Sequence, residues 1–214
     1  MSEPVKPRPY RSPRRARQAA DTRRAVLAAA RSLLAERGWA ATTVAEIARR
    51  AGVSVDTVYA SVGRKPAVLR ELVETALSGT DEPVPGAQRD YVRRTLAAPR
   101  AADKLRLYAE GLAALQQRLA PIFLALRDAA ATDPDCAALW REIAERRRAN
   151  MLRFAADLRG TGELRADLTD AHVADVVWSM NAAEYWVLLV HERGWSPQSF
   201  ADYVTDSWTR YLLA

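Results

Sequence analysis

Cysteine is all but missing from this chain of 214 residues: Cys136 stands alone. No disulfide framework is available, and a reducing, intracellular setting is expected. Histidine is nearly as scarce. His172 and His191 are the only two, and neither has a second metal-ligand residue at a characteristic spacing. There is no glycine-rich phosphate loop and no GxSxG nucleophile motif. These absences leave little from which to build a catalytic or metal centre, so neither enzyme activity nor a cofactor is expected. Any apolar run of about 20 residues, enough to span a bilayer, is also missing. The N-terminal positive charges lead into a helical pattern and not an apolar core, which argues against a secretory signal. Strand-like alternation is absent as well, and the fold class is all-α.

What the chain does have is unevenly placed charge. The net charge is +6, yet residues 1–79 hold 15 Lys or Arg against 7 Asp or Glu, and the remainder holds 17 against 19. Basic charge belongs to the N-terminal third, as expected of a polyanion-binding module on a neutral body. The first 20 residues open with MSEPVKPRPYRSPRRARQA. Rich in Pro and Arg and without apolar periodicity, they read as a flexible basic arm, either solubilising or laid along phosphates.

Beyond the arm, Val26, Ala29, Ala30, Leu33 and Leu34 mark one face of a helix over about 22–37, with Asp21 placed to cap it. A short helix follows over about 44–50, capped by Thr42 or Thr43, with Glu46 at the third position if Thr43 is the cap. Gly52 allows a sharp stop, and Ser54 caps a third helix over about 55–62. A fourth opens near Pro66 and runs to about Leu77. Two short helices joined by a glycine-containing turn match the helix-turn-helix, whose second helix fits the DNA major groove. Val53 and Val58 can anchor that helix, leaving Val55, Asp56, Thr57, Tyr59 and Ala60 on or near its outer surface. Thr57 suits a base or a phosphate, and Asp56 either a cytosine amino group or the positive end of its own helix. Thr43, Ser54, Tyr59 and Lys65 suit phosphates, with Arg49, Arg50 and Arg64 available beside them.

TRRAVLAAARSLLAERGWAATTVAEIARRAGVSVDTVYASVGRKPAVLRELV, residues 22–73, resembles the DNA-binding region of the TetR/AcrR family of bacterial transcriptional regulators. The resemblance rests on Arg37-Gly38, Thr42-Thr43, Ile47-Ala48, Ala51-Gly52-Val53-Ser54, Thr57 with Tyr59, Lys65, and the pair Leu69 and Leu72. It implies a homodimer in the bacterial cytoplasm, on nucleoid DNA. It also implies an N-terminal DNA-binding domain and a larger C-terminal domain that binds a small effector, whose arrival usually releases the operator. Thr43 and Ser54 resemble the family's capping and phosphate-binding residues, and Tyr59 and Lys65 its backbone clamps. Val55, Asp56, Thr57 and Ala60 fall at its variable or base-reading positions. Val62 and Gly63 depart from the family, which commonly has an aromatic and then Ser or Asn there. The domains implied are 1–20 for the arm, 21–66 for the helix-turn-helix domain, and 67–214 for the effector-binding and dimerisation domain, with the helix over 67–78 as connector.

The body reads as helices over about 88–98, 101–118, 121–131, 135–159, 169–192 and 197–213, separated by Pro99, Pro121, the DPD at 133–135, the GTGE at 160–163 and the GWSP at 194–197. The last two carry more apolar surface than one thin layer can hide. Val173, Val177, Met180, Val187, Phe200, Val204, Trp208 and Tyr211 are therefore candidates for a four-helix interface in a C2 dimer. Trp178, Asn181 and Tyr185 share one face at helical spacing and could line an apolar pocket, with Tyr108, Trp140 and Arg147 as further candidates. The expected partners are a double-stranded operator, a second copy of the chain and an apolar or aromatic small molecule, with no membrane. The alternative is a constitutive DNA-binding or architectural protein that has no effector.

Overall fold

The computed structural model describes residues 13–214, and all described elements are helical. They are α1 (Pro13–Arg37), α2 (Val44–Ala51), α3 (Val55–Ser61), α4 (Lys65–Ser78), α5 (Asp90–Ala97), α6 (Ala101–Ala130), α7 (Pro134–Arg159), α8 (Asp170–Met180), α9 (Ala183–Trp186) and α10 (Pro197–Leu212). A 3₁₀ turn, Gly86–Gln88, precedes α5, and a π-helical turn, Val187–Glu192, continues α9. One antiparallel bridge between Leu164 and Leu213 pins the C-terminal end to the loop after α7.

Helix α1 starts at Pro13 and not near Thr22, so residues 13–20 of the expected arm are helical; residues 1–12 lie outside the described residues. Proline is harmless in a first turn, and the ARQAA that follows is made of strong helix formers. Asp21 is consequently not a cap. It sits inside the helix and takes a bond from Arg24, one turn on.

The first four helices close around Val26, Ala30, Leu33, Ile47, Ala48, Val58, Val68, Leu69 and Leu72, all fully buried. Helix α4 continues that core into the body through Val73 and Ala76, so the connector belongs to both halves. The body is built around α6, which packs on α4, α5, α7, α9 and α10. Gly111 lets α5 approach: a Cβ there would lie 2.6 Å from the Tyr91 ring.

Two breaks differ from the sequence reading. Pro121 does not divide 101–131, because α6 runs through it unbroken. Both Pro121 and Gln117, whose carbonyl loses its helical donor, are exposed, so water can satisfy that carbonyl. Conversely, the expected helix over 169–192 breaks after Met180. Ala182 is extended at φ −74°, ψ 146°, and the chain re-enters a helix at Ala183.

The last helices also bury more within one protomer than their apolar stripes suggested. Val173, Val177, Phe200, Val204 and Trp208 are closed inside the protomer's own core, which corrects their assignment to an interface. The Trp208 ring stacks on Tyr108 at 5.9 Å. Met180 and Val187 are half-buried and Tyr211 is exposed, so these three keep surface to offer.

Candidate nucleic-acid interface and body cavity

The turn between α2 and α3 is made by neighbours in sequence. Thr43 Oγ1 accepts the Glu46 amide at 3.2 Å, and Glu46 in return accepts the Thr43 amide at 2.9 Å. The Thr43 backbone bond, with the Thr43 hydroxyl second, lowers the Glu46 carboxyl below its ordinary value. Thr42 does not cap; its buried hydroxyl donates to the Gly38 carbonyl at 2.8 Å. Gly52 ends α2 at φ 68°, a left-handed conformation that glycine adopts without strain. Ser54 Oγ then caps α3 by accepting the Thr57 amide at 3.1 Å, and the two hydroxyls lie 2.8 Å apart.

These caps aim a compact outer surface. Asp56, Tyr59 and Ala60 are exposed, with Tyr59 at 48 %, and so are Thr43 and Ser54, the caps of α2 and α3. Thr57 is half-buried, and Val55 is half-buried against the core, so its side chain serves packing as well as surface. Asp56 occupies the first turn of α3, where a carboxylate favours the helix dipole.

The cations divide. Arg49 is 75 % exposed, and Arg64 is exposed with no carboxylate at ion-pair distance among the described residues. Arg50, read above as available to phosphate, is instead bonded to Glu36 and to Ser32 Oγ of α1. Lys65 also turns inward: its Nζ donates to the Trp39 carbonyl at 2.7 Å and lies 4.7 Å over the Trp39 ring. Partial burial there lowers the lysine's pKa. Trp39 is not among the site residues expected from the sequence, although an aromatic directly after Gly38 is a signal for such a contact.

In the body, a cavity opens among α4, α6, α7, the Pro83–Ala87 link and the α8–α9 break. It has two lobes of about 490 and 630 Å³ that share Pro85, Gly86, Ala87, Arg89, Asn150 and Arg153. Arg147 and Asn181 line the first lobe and Tyr108 the second. Asn181 Nδ2 donates to Tyr108 Oη at 2.7 Å, and that hydroxyl points on to Met151 Sδ at 3.7 Å. Burial raises the Tyr108 pKa, so the phenol stays protonated. The Asn181 carbonyl, freed by the helix break, accepts from Gln116 Nε2 at 2.9 Å and from Arg147 at 3.4 Å.

Of the six pocket candidates, Tyr108, Arg147 and Asn181 come together here. Trp178 touches the site from outside, its ring 5.5 Å from the Arg147 guanidinium. Trp140 packs on Phe123 at 4.7 Å and does not line the cavity. Tyr185 faces α10, 6.2 Å from the Phe200 ring, because the break after Met180 ends the shared face with Trp178 and Asn181. Arg89, Gln116 and Arg153 were not anticipated, and each reaches the cavity from a different element. Among the described residues no group of three or more His, Cys, Asp or Glu could hold a metal ion, and no helix is long and apolar enough to cross a membrane.

A capped helix-turn-helix with exposed hydroxyls and cations, set on a helical body, defines a DNA-binding regulator. Residues 26–72, the recognition module, match the profile of the family described as bacterial regulatory proteins, tetR family. The whole-chain fold is shared with solved structures. A protein from Saccharomonospora viridis, assigned as a transcriptional regulator and solved in complex with choline, is 18% identical with a TM-score of 0.68, covering 91% of this chain and 99% of its own. The fatty acid degradation regulator FadR from Bacillus halodurans is 16% identical with a TM-score of 0.68, over 87% and 94% of the two chains. The MbdR regulator from Azoarcus sp. CIB is 19% identical with a TM-score of 0.65, over 90% and 100%. No protein of curated function matches the chain significantly by sequence.

Proposed function

We propose that the chain is a homodimeric repressor, in which two copies of α3 enter successive major grooves of a palindromic operator and a small molecule in the body cavity releases them. The observation that carries this reading is the double membership of α4. Its first half packs in the recognition module, while Val73, Glu74 and Leu77 line the cavity. Two contacts clasp it to α7: Arg70 grips both Glu142 oxygens at 2.7 Å, and Arg146 holds Glu74 at 2.6 Å. A ligand that prefers another seating of α4 shifts the population away from the DNA-competent arrangement.

On the DNA, Thr43, Ser54 and Tyr59 serve phosphates, joined by Lys65 once it leaves the Trp39 carbonyl. Val55, Asp56, Thr57 and Ala60 are the residues that face base edges in this reading. One seven-residue helix makes few contacts, whereas two read half-sites about 34 Å apart. The partner copy covers the apolar side chains left exposed on the last helices, Trp178 at 40 % and Leu188 at 47 % among them, together with Met180, Val187 and Tyr211. A regulator of this kind works in the cytoplasm, on nucleoid DNA. The Saccharomonospora viridis protein, solved with choline, supports a small-molecule role for a body of this fold.

The test is fluorescence anisotropy with DNA flanking the protein's own gene at two salt concentrations, against scrambled DNA. Selective, salt-steep binding that a cavity ligand abolishes is the expected result. Equal binding to both DNAs, unmoved by any cavity ligand, would favour the constitutive architectural alternative.

A further inference from the structure

The body cavity is charged in one sense. Arg89, Arg146, Arg147 and Arg153 line its two lobes, and among the described residues Glu74 is the single acid in the lining. Glu74 is already held by Arg146. Arg89, Arg147 and Arg153 have no carboxylate within ion-pair distance among the described residues; Arg89 donates to the Val84 carbonyl at 3.2 Å and Arg153 to the Asn150 side chain.

Arg147 is the most confined of the three. Its guanidinium lies by the rings of Phe123 and Trp178, 5.5 Å from each centroid, and among the described residues its one hydrogen bond is the 3.4 Å contact to the Asn181 carbonyl. Desolvation lowers its pKa, the mark of a cation short of solvent and of counter-charge. Glu184, whose charge it feels, is engaged by Arg127 at 2.9 Å. A partly buried cation without an anion is costly, and an anion supplied from outside removes that cost. The second lobe is different in kind: Tyr91, Val92, Leu96, Met151 and Phe154 give it an apolar wall. One half of the cavity therefore suits an anion, and the other a hydrocarbon tail.

We infer that the cavity binds an amphipathic carboxylate, with the carboxylate on Arg147, Arg89 and Arg153 beside it, and the apolar tail along Met151 and Phe154. This rests on the reading of the cavity as the effector site. Guanidinium and carboxylate match as planar, two-pronged partners, whereas a ligand cation would meet three uncompensated arginines.

The experiment is calorimetry on the full chain with matched probes: decanoate and 4-phenylbutyrate, the corresponding alcohols decanol and 4-phenylbutanol, and decyltrimethylammonium. Each acid is expected to bind about ten- to a hundredfold tighter than its alcohol, the range for hydrogen bonds to charged groups. Arg147→Met should remove most of that preference while leaving alcohol affinity in place, which also reports an intact cavity, and Arg147→Lys should restore part of it. Alcohols or the ammonium probe binding as tightly as the acids would overturn the carboxylate assignment and leave the effector reading standing. A full acid preference in Arg147→Met would overturn the seat at Arg147. Saturable binding of no probe at all would bring down the effector reading and this proposal together.

Discussion

The cations of the recognition module and those of the body face different solvents. Around α2 and α3 they are open to water, as Arg64 is, or in surface pairs with carboxylates, as Arg37 is with Glu46 at 2.5 Å and the largely exposed Arg49 with the same group at 3.9 Å. In the body, Lys104 is only 4 % exposed and pairs with Asp157 at 2.8 Å, while Arg147 lies by two aromatic rings. The same charge does different work in each place. Open cations attract a polyanion cheaply and are screened by salt; enclosed ones demand one particular partner and are costly without it.

The largest effect is expected from removing the partner of an enclosed cation. Asp157→Asn leaves the Lys104 ammonium buried and uncompensated, and should destabilise the fold by about 3 kcal/mol in a denaturant melt. A loss below about 1 kcal/mol would mean that the pair behaves as a surface bridge. Next in size is Thr57→Ala, expected to cost about 1–3 kcal/mol on the cognate operator and to relax selectivity, whereas Tyr59→Phe should weaken all sequences evenly. If Thr57→Ala weakens every DNA alike, the base-reading role is wrong. Arg49→Ala should lower the slope of log K against log salt by about one, and an unchanged slope would take Arg49 off the phosphates.

The smaller effects concern protons. The Arg50 hydrogen bond, with Ser32 second, lowers the Glu36 carboxyl from 4.5 to about 2. Its folded value lies below its unfolded one, so its contribution is complete above pH 4.5 and disappears as pH falls towards 2. Glu36→Gln should flatten the thermal-stability profile over that window, and a profile parallel to that of the parent protein would show the bond to be idle. Cys136 is pushed up to about 11, first by burial and then by Asp133. It should resist alkylation at pH 8 until the chain unfolds, a point checked by mass spectrometry.

The module was legible in the sequence because its determinants are neighbours. The Thr43 and Glu46 cap, the Gly52 stop and the Ser54 cap each act within four residues, and the structure places each where its spacing puts it. Of the cavity, single residues such as Tyr108, Arg147 and Asn181 were legible but their assembly was not, since Tyr108 and Asn181 are 73 positions apart and Gln116 and Asn181 are 65. Nothing in the residues Asn181-Ala182-Ala183 announces a helix break; the break is held by side chains from α6 and α7. The apolar stripe of α10 showed that something covers Phe200 and Trp208, but periodicity does not say whether the cover is the same chain or another. The inward turn of Lys65 depends on Trp39, 26 residues earlier.

The unbroken course of α6 has a geometric consequence. Along one rod it supplies Tyr108, Gln116 and Phe123 to the cavity, Arg118 to the Ala76 carbonyl of α4 at 2.5 Å, and Leu124 and Ala125 to the groove beside Trp39. At about 3.6 residues per turn, a single residue inserted between Tyr108 and Arg118 would swing everything beyond it by roughly 100°. The length of this helix is therefore quantised: it can lengthen or shorten only in near-whole turns without pulling the cavity wall and the seat of the recognition module out of phase.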